Sequence, residues 1–243
     1  MATLKMEELE AGVPKNWIVL LYGQPFCGKT HFLRGVPKPL KVHDFDHKYE
    51  PLFGIEGVTI ETYDITDVAK SLAEYARFQK NWKKDLADPD IASLAVDSLT
   101  NLDLILLRYA VILDGRDPRS NPLIQHYGTL GNEFKYFFKF QVATVQDKNI
   151  FILAHEHYHI DSDAHTHAIT PLITGQKIIT HLPAFFKNVW HLEAKDNGER
   201  MLHWQKYKHH MAGSLNLSGE GSMEDPTFDK VTAHARKGNG SLS

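Results

Sequence analysis

The residues best suited to chemistry are Gly23 to Thr30, GQPFCGKT, whose spacing fits G-x-x-x-x-G-K-[ST], a phosphate-binding loop. Glycines let consecutive backbone N–H groups curl around a phosphate, and a helix beginning near Lys29 points the positive end of its dipole at it. Gly23, Gln24, Pro25, Phe26, Cys27, Gly28, Lys29, Thr30 and His31 are therefore the expected nucleotide contacts. Lys29 reaches the β- and γ-phosphates, and Thr30 offers its hydroxyl to Mg²⁺. Cys27, the single cysteine, either fits the loop as a small residue or acts as a thiol whose oxidation blocks nucleotide.

Such a loop needs carboxylates opposite it, and the elements that deliver them are legible. The loop follows an apolar β-branched run at Ile18 to Leu21. Leu40 to Phe45 reads as a second strand with Asp44 and Asp46 at its end, Val58 to Thr62 as an edge strand, and Ile91 to Val96 as a strand running into Asp97. Asn149 to Ala154 reads as a fourth apolar strand, reaching His155. Helical periods cover Asp64 to Leu86, the residues after Asp97 as far as Leu113, and Ile124 to Asp147. Alternating strands and helices imply an α/β fold, a mostly parallel doubly wound sheet that binds ligand at the carboxyl ends of its strands. Asp97 is the Walker B candidate for Mg²⁺, with a helix N-cap as the other reading. Asp44 and Asp46 are candidates for activating water, or else a turn.

The 243 residues are 42% apolar and 23% charged, which suits a soluble globular chain with one large core. A formal charge of −3 makes any nucleic-acid site local, and a lone cysteine suits a reducing, cytoplasmic setting. The acidic N-terminus does not read as a signal peptide, and no apolar run is long enough to span a bilayer. The expected organisation is an N-terminal arm at 1–14, a core at 15–211 and a flexible Gly/Ser/Asn-rich tail at 212–243. Val189 to Glu193 and Arg200 to Gln205 suggest a C-terminal β-hairpin.

With these motifs in place, Trp17 to Lys208 resembles a RecA-core P-loop ATPase, most closely the phage recombination proteins of the fourth Sak class. The segment Asp44-Phe45-Asp46-His47 is similar to the family's D-x-E-H, so the resemblance makes Asp46 the residue that activates water. EPLF is similar to its D-P-x-Y run, with Phe53 as the adenine-stacking aromatic, and ILAHEH puts His155 at the γ-phosphate sensor. PLITGQK and LPAFF match the Sak-type ending. The resemblance implies ATP and Mg²⁺ as ligands and two DNA loops, Leu113 to Tyr127 and His155 to Gly175. Their expected contacts are Arg116, Arg119, His157, His165, His167 and Lys177. Lys206 and Lys208 would reach a neighbouring subunit's nucleotide. The implied partners are single-stranded DNA, further copies of the chain in a head-to-tail ring or filament, and a single-strand-binding protein, with no membrane.

His155, Glu156 and His159 also satisfy H-E-x-x-H, whose histidines share a face only on a helix; here the segment leaves a strand and is expected to open into a loop. The implied function is ATP-dependent single-stranded DNA binding that promotes annealing or strand pairing in phage recombination. A ring helicase and a P-loop small-molecule kinase are the alternatives. A regulatory GTPase is disfavoured because no Asn-Lys-x-Asp signature occurs.

Overall fold

The computed structural model describes residues 16–161 and 166–239, apart from the side chains of residues 160, 161, 166, 167, 176, 177 and 237–239. The expected arm at 1–14 lies outside the described residues. A mixed sheet runs in the order β10 (Ser222–Glu224), β8 (Arg200–His203), β7 (Asn188–Ala194), β1 (Ile18–Gly23), β5 (Asn149–Asp161), β4 (Ser93–Asp97), β2 (Leu40–Asp44), β3 (Val58–Thr62). From β7 to β3 every neighbouring pair is parallel, while β8 and β10 are antiparallel additions. The register sets Gly23 beside His155, Asp97 beside Leu153 and Asp44 beside Asp97. Four strand ends therefore reach one level.

Alternation along the strands divides the interior into two cores. Ile18, Leu20 and Tyr22 of β1 face α2 (Ser71–Ala87), α3 (Leu99–Leu113) and α4 (Ile124–Tyr136), among Phe78, Trp82, Leu106 and Phe134. Val19 and Leu21 face the opposite way, toward α1 (Lys29–Phe32) and α6 (Phe228–Asn239). Both sides of β1 are buried, which explains its unbroken apolar run. Among the described residues no helix is long and apolar enough to cross a membrane.

Three expectations need correction. Asp64 to Leu86 is not one helix: Asp67 caps a 3₁₀ turn at Val68–Lys70 through the Ala69 amide, and α2 begins at Ser71. The stretch His155 to Gly175 is not one long loop: β5 continues to Asp161 and pairs antiparallel with β6 (Thr166–Pro171), and α5 (Gln176–His181) follows. Alternating histidine, aromatic and β-branched residues fit a pleated strand even where every second one is polar.

The expectation of a flexible tail also gives way over its described part. Beyond Ala212 lie β9 (Gly213–Ser214), which pairs with β7, then β10 and α6. Phe228, Val231 and Ala235, at helical spacing, are buried in the second core. The Phe228 ring meets Trp17, Phe32 and Phe151 at centroid distances of 5.6, 6.2 and 5.6 Å. Phe228→Ala should therefore lower unfolding free energy by about 3 kcal/mol or more. Urea denaturation measures it, and a loss below about 1 kcal/mol would mean that α6 is not part of the cooperative core.

Candidate active site

At the carboxyl edge, β1 turns into the loop Gln24–Gly28 and then α1. Two glycines have separate reasons to be there: a Cβ on Gly23 would stand 2.0 Å from the Leu192 carbonyl oxygen, and Gly28 has a φ of +98° that disfavours any other residue. Lys29 Nζ curls back to donate to the Gly23 and Gln24 carbonyls at 2.9 and 2.8 Å. Burial pushes the Cys27 thiol up, against the charge of Lys29, which marks a packed small residue and not a reactive thiolate.

Pro25, Phe26, Gly28, Lys29, Thr30, His31, Asp46, Asp97 and His155 line one cleft of about 400 Å³. Gly23 and Cys27 lie buried beneath it. Thr30 Oγ1 donates to Asp97 Oδ2 at 2.6 Å. Burial pushes the Asp97 carboxyl up to about 7, the nearby Asp46 and Asp44 carboxylates add to the rise, and the Thr30 hydrogen bond opposes it. A divalent cation against these two oxygens would hold that carboxylate ionised, so the donor set fits Mg²⁺.

Asp46 has the opposite environment. Ser98 Oγ and the Asn101 side-chain amide donate to Oδ1 at 2.5 and 2.6 Å, and His155 Nε2 lies 2.9 Å from Oδ2. Burial alone would raise this group, but the bonds from His155 and Ser98 outweigh it and hold Asp46 below the usual carboxylate range. Asp44 faces away: it accepts from the amides of Asp46 and His47 at 3.2 and 3.1 Å and is a turn-former, buried and pushed up to about 6.

Phe53 is not among the lining residues; it is 63% exposed and sits edge-on to Tyr49 at 5.6 Å. The aromatic at the cleft is Phe26, with Lys48 Nζ 5.4 Å from its ring centroid. Lys48, Glu50, Pro51 and Arg200 complete the lining without having been singled out from sequence. Asn101 and Ser98 also escaped notice, although the polar first turn after Asp97 could have signalled them. Arg116, Arg119, His157, Lys206 and Lys208 do not line the cleft. Arg119 caps its own loop with its amide on Asp117, and Lys208 Nζ lies 4.8 Å from the Tyr207 ring centroid. His157 and His159 are exposed on β5. His165 lies outside the described residues, while His167 and Lys177 are described by backbone alone, in β6 and α5.

The H-E-x-x-H residues divide between two faces of a strand. His155 meets Asp46, whereas Glu156 Oε2 lies 2.7 Å from His191 Nε2, and the His191 ring stacks on His210 at 3.8 Å.

This arrangement defines a P-loop ATPase-type domain. A family model described as an AAA domain matches residues 15–214, and the chain belongs to that family of P-loop ATPases. No curated protein sequence matches the chain.

Burial, and then the charge of His191, push His210 down to about 4, with His203 adding to the effect and Glu156 and Glu193 opposing it. The unfolded chain therefore takes up a proton between about pH 6.5 and 4 that the fold refuses, so this residue's contribution to stability falls on acidification through that window. His210→Asn should lose less stability than wild type between pH 7 and 5 in paired urea titrations. An equal loss in both proteins would contradict the assignment.

Proposed function

We propose that the protein is a Mg²⁺-dependent ATPase that binds single-stranded DNA and promotes annealing or strand pairing in phage recombination, as its likeness to the Sak-type proteins implies. One observation carries the reading. Asp46, a cleft carboxylate that its partners hold ionised, is bonded to His155 on the strand that continues outward as the β5–β6 hairpin. His155, the proposed γ-phosphate sensor, is thereby at the root of the element proposed to meet DNA.

In the proposed mechanism, phosphate oxygens replace the Gly23 and Gln24 carbonyls as acceptors for Lys29. Thr30 and Asp97 would hold Mg²⁺, whose chemistry is to neutralise charge on the β- and γ-phosphates. Asp46, fixed by Ser98, Asn101 and His155, orients the attacking water and accepts its proton. The exposed His157, Tyr158 and His159 offer flat rings for base stacking, which tolerates any sequence. Arg116, Arg119 and Lys177 supply phosphate contacts, and His165 and His167 are assigned to DNA by the same likeness. Assembly is head to tail, with the exposed Lys206 and Lys208 directed at a neighbour's nucleotide.

Lys29→Ala should abolish nucleotide binding with the fold intact, as read by calorimetry and circular dichroism. Because coupling is reciprocal, ATP and DNA should tighten each other's binding by one factor. A DNA titration with ADP and with a non-hydrolysable ATP analogue, at two salt concentrations, should show two affinities. Arg119→Ala should lower the log–log salt slope by about 0.7, and His155→Ala should erase the nucleotide dependence. Equal affinities in the wild type would overturn the coupling.

A further inference from the structure

Arg200 begins β8, 170 residues beyond the phosphate loop, yet its guanidinium lies against that loop in the same chain. A Cβ on Gly28 would stand 2.9 Å from Arg200 Cζ, and Nη1 is 3.5 Å from His31 Nδ1. Among the described residues no carboxylate pairs with the Arg200 guanidinium in an ion pair. An arginine that lines a cleft beside glycine backbone, in no ion pair with a described carboxylate, suits an anion. Its charge, after burial and together with that of Arg34, also lowers the affinity of His31 for a proton, against the opposing charge of Asp225.

The position is held by the backbone. Arg200 pairs with Ala194 of β7, its carbonyl accepts from the Asp225 amide at 2.8 Å, and the next residue, Met201, pairs with Glu224 of β10. The segment following Ala212 therefore braces Arg200 from one side while α6 packs beneath α1. The sheet order then says which phosphates it meets. β8 and β7 lie on one side of β1, whereas β5, β4 and β2, which carry His155, Asp97 and the Asp46 turn, lie on the other. A triphosphate with its γ end at Asp46 and His155 has its α and β end toward Arg200.

We propose that Arg200 is a nucleotide-binding residue supplied in cis, whose guanidinium contacts the α- or β-phosphate of the nucleotide bound by its own chain. The inference rests on the nucleotide-site reading above, and it means that this one contact needs no neighbouring subunit. Removing a charge-assisted hydrogen bond of this kind costs about tenfold or more in affinity. Because the contact is to phosphates that ADP and ATP share, both should weaken alike.

The test is calorimetric titration of the full-length protein with Mg-ADP and with a Mg-bound non-hydrolysable ATP analogue. Arg200→Ala should weaken both by about tenfold or more, Arg200→Lys should recover part of the loss, and nucleotide-free melting should not change. A loss confined to the ATP analogue would move the contact to the γ-phosphate and overturn the assignment. Wild-type affinity in Arg200→Ala would also overturn it, and Lys29→Ala separates the two readings. If Lys29→Ala weakens binding while Arg200→Ala does not, only this inference fails; if neither matters, the nucleotide site itself is wrong. Adding Lys29→Ala protein, with its arginine intact, should not restore binding to Arg200→Ala, and restoration would mean that the guanidinium acts across subunits. Where Arg200→Ala melts early, Arg200→Lys and Arg200→Gln carry the same comparison.

Discussion

Parallel pairing of β1, β5, β4 and β2 is the constraint on which the site depends. Gly23 lies level with His155, and Asp44 with Asp97, because hydrogen-bond register ties together strands that are far apart in sequence. A slip of one residue along β5 would turn His155 away from Asp46 and bring Glu156 toward it. Burial on both faces opposes such a slip. Ile150, Ile152 and Ala154 belong to one core, and Phe151 and Leu153 to the other, so the packing of alternate residues specifies the chemistry at the strand tip.

That register sets three aspartates within one small edge, and their surroundings drive them apart. Asp44 is spent on a turn. Asp97 is buried with Thr30 as its hydrogen-bond partner, where burial favours the protonated acid until a cation arrives. Asp46 is held ionised by three side chains from β4's end, α3 and β5. Asp97 and Asp46, which both line the cleft, are thereby suited to different work, one to a metal and one to water. On the far side of β1, the C-terminal elements close the second core and brace Arg200 at the loop, so β10 and α6 bear on both stability and the site.

Much of this was legible because it is local. The loop pattern, the apolar runs and the polar residue ending each run are properties of short windows, and they located Lys29, Thr30, Asp97 and His155 at one edge. What was missed depends on distance or on weak periodicity. Arg200 carries no local sign of its neighbour, since only the pairing of β7 with β8 brings it to Gly28. Phe53 was matched by motif, but the turn at Glu50–Leu52 leaves its ring outside while Phe26, inside the loop itself, takes the cleft position. The histidine-rich stretch looked like a loop because its side chains are polar; yet a strand that leaves the core needs no apolar face, and period-two alternation remained. α6 was hidden among Gly and Ser, although Phe228, Val231 and Ala235 already traced one helical stripe.

The account stands most directly on Asp46, so the decisive measurement is single-turnover ATP hydrolysis by wild type, Asp46→Asn and Asp44→Asn, with bound nucleotide verified in each. Asp46→Asn should bind nucleotide and Mg²⁺ normally but hydrolyse about a hundredfold more slowly or worse, while Asp44→Asn keeps a rate close to wild type. Wild-type hydrolysis in Asp46→Asn, or a collapse confined to Asp44→Asn, would contradict it.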